Sequence, residues 1–473
     1  MRDFLFWLER RRWLWAALAV GAAVLALPPS ADLSVAGQRT LAIAAAVGIL
    51  FVTEPIPLPA VALLIAVAQV LLGIDDAAGV AATFMSDSVF FILGSLMIGV
   101  AIVRQNLDKR FAYYILRLTG PDVRRISTGL LILSALLASL VGEHTVAAIL
   151  LPVAVTLIRL TREERGSALP ELSALLLLSI AYGCALAALG SPSGGARNAI
   201  MIDYWRRLYG TQVTYTDWVL HAYPLVILQI PVAAWLLRRS FRPEVWDLQR
   251  TLVSLRRVVR AEGRWDLPDV LTVAVFGLTL LGWMTLSGRL GLGIIAMAGA
   301  SLYLVIGLVR WEDYNSGVNW GVILLYAATI SLGVAMKETG AAQWLASRFL
   351  ATFPGGTPAA PILVLALMGL ATVLFTSVMS NGPAVAVLGP VFLNTAHLSG
   401  IGIVPAGFVT ALSSAFAFST STGTPAARIL YASGYLSAPD FRRAGPWLTA
   451  VSLALLLAVA FLYWPLLGPR SAP

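Results

Sequence analysis

The chain has 473 residues, of which 59% are hydrophobic and 12% charged, with a formal net charge of +9. Soluble domains are about half apolar and about a quarter charged, so an ordinary soluble enzyme is excluded. The positive charge sits in loops between apolar blocks of about 17–25 residues, each able to span a bilayer, which excludes a nucleic-acid patch in favour of a polytopic membrane protein with its basic loops inside.

The start, MRDFLFWLERRRWLWAALAV, runs from a basic segment into an apolar stretch too long and unbroken for a cleavable signal peptide. Arg10, Arg11 and Arg12 place it in the cytoplasm, and Trp7, Trp13 and Trp15 read as an interfacial belt. Spans are predicted near 13–29, 40–53, 57–74 and 88–104. The stretch 126–158 lies between Arg124 and Arg125 on one side and Arg162 and Arg165 on the other. Two basic flanks on one face predict a re-entrant hairpin. The next span, 171–203, contains GSPSGGARN. Span 219–237 leads into the basic loop 238–264, read as a cytoplasmic linker. Spans 269–286, 293–310 and 319–336 follow, then a second hairpin over 361–396, a broken span at 405–432 and a last span at 446–467. The prediction is eleven spans and two hairpins in the inner membrane, with a cytoplasmic N-terminus and an outer C-terminus. Arg206 and Arg207 are exceptions to the charge rule.

The two halves resemble each other. IGVAIVRQNL (98–107) matches LGVAMKETG (332–340), with Gly99 and Gly333 separated by 234 positions. GEHTVAAILLPV matches SNGPAVAVLGPV, with Pro152 and Pro390 separated by 238, and Arg197 and Arg428 are separated by 231. A duplication follows, and an odd number of crossings per unit would invert one copy. The division is an N-terminal segment and first helix (1–39), repeat one (40–237), a basic linker (238–268), repeat two (269–467) and a tail (468–473).

Each repeat carries one break: Gly190-Ser191-Pro192 before Arg197, and Thr422-Gly423-Thr424-Pro425 before Arg428. Non-helical backbone at membrane depth survives only where protein or a watery cavity satisfies it. Glycine and proline supply the break. The half-helix ends then offer N–H groups and a positive dipole end to an anion, and arginine adds planar donors suited to carboxylate or sulfate. Inverted repeats with paired broken helices are a secondary-transporter plan. The bland alternative for each arginine is snorkelling or a structural ion pair.

TEPIPLPAVALLIAVAQVLLGI (53–74), SDSVFFILGSLMIGVAI, SNG at 380–382 and the GSP and GTP breaks resemble the divalent anion/sodium symporter family, within the ion transporter superfamily. The resemblance covers about residues 40 to 465. It implies an all-α homodimer whose protomers have a scaffold and an elevator-like transport domain, with two sodium sites, each between a hairpin tip and a helix break. Gly142-Glu143-His144 stands where the family has Ser-Asn-Thr, and Gly382 where it has Thr.

The expected substrate contacts are His144, Thr145, Arg197, Asn198, Asn381, Gly382, Thr424, Pro425 and Arg428. The expected cation or coupling residues are Gly142, Glu143, Gly190, Ser191, Ser380, Asn381, Thr422 and Gly423. Glu143 has three readings: a sodium ligand, a proton carrier, or a structural partner of Arg197. His144 is either a proton relay or a hydrogen-bonding replacement for threonine. His221 and His397 are expected to be bland, and Glu54 and Asp87 to cap or hinge. One cysteine, Cys184, excludes a disulfide framework.

The function expected is secondary active transport of a small dicarboxylate or sulfate-like anion, coupled to sodium or to a proton on Glu143 or His144. If Glu143 neutralises an arginine, a monoanion also fits. An anion exchanger or channel is the alternative. No organic cofactor and no enzymatic activity are expected, because no His/Glu metal set or Ser/Lys dyad sits at one membrane depth.

Overall fold

The computed structural model describes residues 11–28, 32–105, 119–249, 266–351 and 360–468. Trp7, Arg10 and most of the basic linker therefore lie outside the described residues. Those described are helical, with one isolated β-bridge between Asp122 and Asp247. Among the described residues, ten helices are long and apolar enough to cross a bilayer. This count by length is not the eleven spans expected from topology. Hairpin arms qualify by length, whereas Leu58–Leu71 and Leu292–Val305 fall short.

The first half runs α1 (Arg12–Ala26), α2 (Val35–Thr53), α3 (Leu58–Leu71), α4 (Ala77–Phe84) and α5 (Asp87–Arg104). Ser34 caps α2 by accepting the Gly37 N–H. Glu54 ends it at φ 43°, the one non-glycine with positive φ among the described residues. Pro55 and Pro57 then forbid further helix. Asp87 reaches across to accept the N–H groups of Leu292 and Gly293 at 3.2 and 3.0 Å, so the capping role expected for it is realised on another helix.

Next come α6 (Val123–Val141) and α7 (Glu143–Arg165), which pack on each other. They meet at Gly142, where φ 86° and ψ 150° are open to glycine almost alone. Helix α8 (Pro170–Ala187) is buried at every residue from Leu172 to its end, as expected of a helix apolar all round. The chain then breaks through a short 3₁₀ turn, Pro192–Gly194, before α9 (Ala196–Tyr209) and α10 (Tyr215–Ser240). The span expected over 171–203 is thus two half-helices.

The second half contains α11 (Leu267–Leu290), α12 (Leu292–Val305), α13 (Trp311–Gly317), α14 (Trp320–Glu338) and α15 (Ala341–Leu350). The short helices α4, α13 and α15 were not among the expected elements. Helices α16 (Pro361–Val378) and α17 (Asn381–Leu398) join at Met379 and Ser380. Then α18 (Ile403–Ser413) breaks before α19 (Pro425–Ala432), and α20 (Ala438–Leu462) follows. Leu267, Val270, Leu278, Leu281 and Leu290 of α11 are exposed; lipid suits such a surface better than water does.

Both breaks leave helix carbonyls without helical partners, and side chains take them up. At the first, Asn198 donates to the carbonyls of Ala188 and Ser191 at 2.8 and 2.7 Å, and the Trp218 indole to that of Leu189 at 2.8 Å. At the second, Thr376, Thr449 and Tyr182 donate to the carbonyls of Ser414, Phe416 and Phe418. Interrupted backbone inside an apolar body is tolerable on this condition.

Candidate functional site

Glu143 is the first residue of α7, Arg197 the second of α9, and Asn381 the first of α17. These three side chains meet. Arg197 Nη1 donates to Glu143 Oε1 at 2.8 Å, and Asn381 Nδ2 donates to the same oxygen at 2.8 Å. All three are about 2% exposed or less. Two hairpin tips and the first break therefore converge on one carboxylate atom.

The start of α19 completes the arrangement. Thr424 caps it by accepting the Ala427 N–H, and Pro425 occupies its first turn, where a missing N–H is harmless. Helix α19 packs against α7 and α8. The N-terminal ends of α7, α9, α17 and α19 are thus gathered in one neighbourhood. Each presents unsatisfied N–H groups and the positive end of a helix dipole, an environment that favours an anion.

A cavity of about 50 Å³ lies at the ends of α7, α9 and α17, lined among others by Gly142, Glu143, His144, Asn381 and the backbone turn from Pro192 to Ala196. Its remaining wall comes from Phe91, Ser95, Val322 and Tyr326. This volume exceeds that of one water. Several buried polar atoms around it have no partner among the described residues: Glu143 Oε2, Arg197 Nε and Nη2, Asn198 Oδ1 and Ser95 Oγ. Surplus donors and acceptors side by side suit a guest carrying oxygen acceptors together with water.

The expected residues divide. Gly142, Glu143, His144 and Asn381 line the cavity. Thr145 lies behind it against Gly99, and Gly190 against the Tyr223 ring. Asn198 and Thr424 hold backbone. Ser191 and Ser193 donate to the Ser139 carbonyl at the end of α6, the latter at 3.3 Å. Gly382 makes room: a Cβ there would overlap the Tyr326 ring. Ser380 caps α17 with extended backbone and no side-chain cap bond. Thr422 is exposed and Gly423 buried.

Arg428 differs from its counterpart. It is 32% exposed, pairs with Glu54 Oε1 at 3.0 Å and donates from Nε to the Thr422 carbonyl at 2.9 Å. Each arginine thus arrives with a carboxylate of its own, the ion-pair alternative left open for both. Glu143 pairs with Arg197 through Oε1, and its Oε2 has no partner among the described residues. Missed from sequence were Tyr326, Phe91 and Ser95 on the wall, Ser139 as the shared acceptor, and Glu54 as a partner 374 positions from Arg428.

Residues 9–469 match the model of a family described as the sodium:sulfate symporter transmembrane region. The chain belongs to the sodium:sulfate symporter family. Among its relatives, a sodium-dependent dicarboxylate transporter of Staphylococcus saprophyticus is 24% identical, over 92% of this chain and 88% of that one. A transporter of Haemophilus influenzae is 23% identical over 90% and 91%. The fold is shared with the Alcanivorax borkumensis YdaH transporter (TM-score 0.54, 16% identity, covering 86% of this chain and 89% of that one). It is also shared with MtrF of Neisseria gonorrhoeae (TM-score 0.55, 11% identity, 83% of each).

Sodium, implied by the family description, can be tested against the donors present. Glu143 Oε1 already accepts two hydrogen bonds, the Ser191 hydroxyl is turned to the Ser139 carbonyl, and the Thr422 carbonyl accepts from Arg428. Asn381 Oδ1 accepts the Gly382 N–H at 2.8 Å. Hard cations need several free oxygen ligands; Glu143 Oε2 and Asn198 Oδ1 are free at the first place, but the Arg197 guanidinium already stands on that carboxylate, and at the second Arg428 holds the Thr422 carbonyl. The donor set does not fit sodium.

Proposed function

We propose that the protein is a secondary active carrier of a small oxyanion, a carboxylate or sulfate-like species, bound between the tips at 142–146 and 380–384 and the breaks at 190–198 and 422–428. The single observation that carries the reading is the meeting of both tips and the first break at Glu143 Oε1, beside the cavity. The family and the dicarboxylate-transporter relative support the class of substrate. Because Glu143 neutralises Arg197, the cation available to the guest is Arg428, whose pair with Glu54 is half-exposed and can open toward a competing carboxylate. This favours one strongly held negative group, with the four helix ends completing its cradle.

In this reading the two hairpins and two broken helices form the transport unit. It moves against the remaining helices in an elevator-like alternation within a homodimer, as the resemblance implies. Exchange of one anion for another is the form of transport that needs no separate ion-ligand set.

The test is uptake of a panel of labelled anions into proteoliposomes, with sodium and proton gradients imposed separately. Arg428→Ala is expected to abolish uptake and substrate binding while leaving the oligomer intact. Unchanged affinity in Arg428→Ala would remove the anion-cradle reading.

A further inference from the structure

We propose that the guanidinium groups of Arg197 and Arg428 are tethered cations standing at the two tip-and-break positions, so that the protein works without bound sodium. The proposal rests on the carrier reading for what is moved, but not for its evidence.

At the first position side-chain hydrogen bonds join the break to the end of α6. Ser191 and Ser193 both donate to the Ser139 carbonyl, and Asn198 spans two further carbonyls. Arg197 is the cation beside Glu143, with Nη1 on its carboxylate, so the pair is neutral as a sodium–carboxylate pair would be. The sequence leaves space for it: a Cβ on Gly195 would sit 3.0 Å from Arg197 Nη1 and 3.2 Å from Cζ, tighter than ordinary contact. A side chain there would force the guanidinium to give by a few tenths of an ångström.

At the second position, the Thr422 carbonyl that an ion would take receives Arg428 Nε at 2.9 Å, and the Asn381 side-chain oxygen is held by its own tip's N–H. Both arginines follow their break closely, Arg197 as the second residue of α9 and Arg428 as the fourth of α19. A guanidinium carries the charge of one sodium ion, holds it at every pH the protein meets, and cannot dissociate. Charge compensation is then permanent, and a sodium gradient has nothing to act on.

The test is equilibrium binding of ²²Na⁺ to the purified full-length protein in detergent, with choline chloride holding ionic strength constant. Wild type is expected to show no saturable binding at millimolar sodium. Arg428→Ser frees the Thr422 carbonyl, adds a hydroxyl and removes only a half-exposed pair; it is expected to gain saturable binding. In proteoliposomes, wild-type uptake of labelled succinate or sulfate is expected to be unchanged when choline replaces sodium. Saturable binding by wild type overturns the proposal, as does a monodisperse Arg428→Ser protein that binds none. Failure of every anion to be taken up would count against the carrier reading and leave the sodium-binding result standing.

Discussion

Replacing Glu143 by Gln and Arg197 by Met, singly and together, isolates the buried ion pair. Nη1 and Oε1 are 2.8 Å apart, and the two side chains are 1% and 3% exposed. Two unit charges about 4 Å apart attract by about 4 kcal/mol at an effective dielectric constant near 20. Removing one partner strands the other charge in the interior, which destabilises by about 3–5 kcal/mol. Removing both leaves two neutral side chains of similar size, and the double variant is expected to lose less than either single one. The expected coupling is therefore about 3 kcal/mol, read from reversible unfolding of the full-length protein in mixed detergent–SDS micelles. Single losses that add to within about 0.5 kcal/mol, the additivity of independent sites, would refute the account of this pair.

Three further outcomes follow from the site. Gly382→Thr, which restores the residue type the family carries, forces the Tyr326 ring aside; overpacking of this kind is expected to destabilise by about 1–3 kcal/mol, and Gly382→Thr with Tyr326→Ala should recover most of the loss. Gly142→Ala places a Cβ at φ 86° and is expected to lose about 1–3 kcal/mol from backbone strain, measured by the same unfolding titration. Glu54→Asn keeps a residue that tolerates the left-handed region and removes only a half-exposed pair, so stability should change by less than about 1 kcal/mol. Its substrate affinity should instead rise, because Arg428 is released.

The interruptions were legible because they are chemical: glycine and proline clustered inside apolar stretches can do little else, and both breaks fall where GSP and GTP stand. The tips were legible too, since Gly142 and the Ser380-Asn381 pair end one helix and begin the next. Pairings across the chain were less so. Glu143 had three open roles, and choosing among them needs the distance to Arg197, which 54 positions of sequence do not carry. Glu54 was read as a cap, and it is one; its second role on Arg428 is set by how α2 lies against α19. Tyr326 looked like one more apolar position in α14, and its significance comes from the missing side chain at Gly382. The span at 171–203 is expected to be broken at GSPSGGARN, and α8 and α9 do part at the turn there.

One oxygen atom, Glu143 Oε1, belongs at once to the first hairpin, to the helix after the first break through Arg197, and to the second hairpin through Asn381. Sliding any of these three past the others would strip a buried carboxylate of its donors. They are bolted into a single rigid joint, and large rearrangements must be hinged somewhere else. Glu54 and Arg428, half-exposed and joined by one bond, form the kind of fastening that can let go.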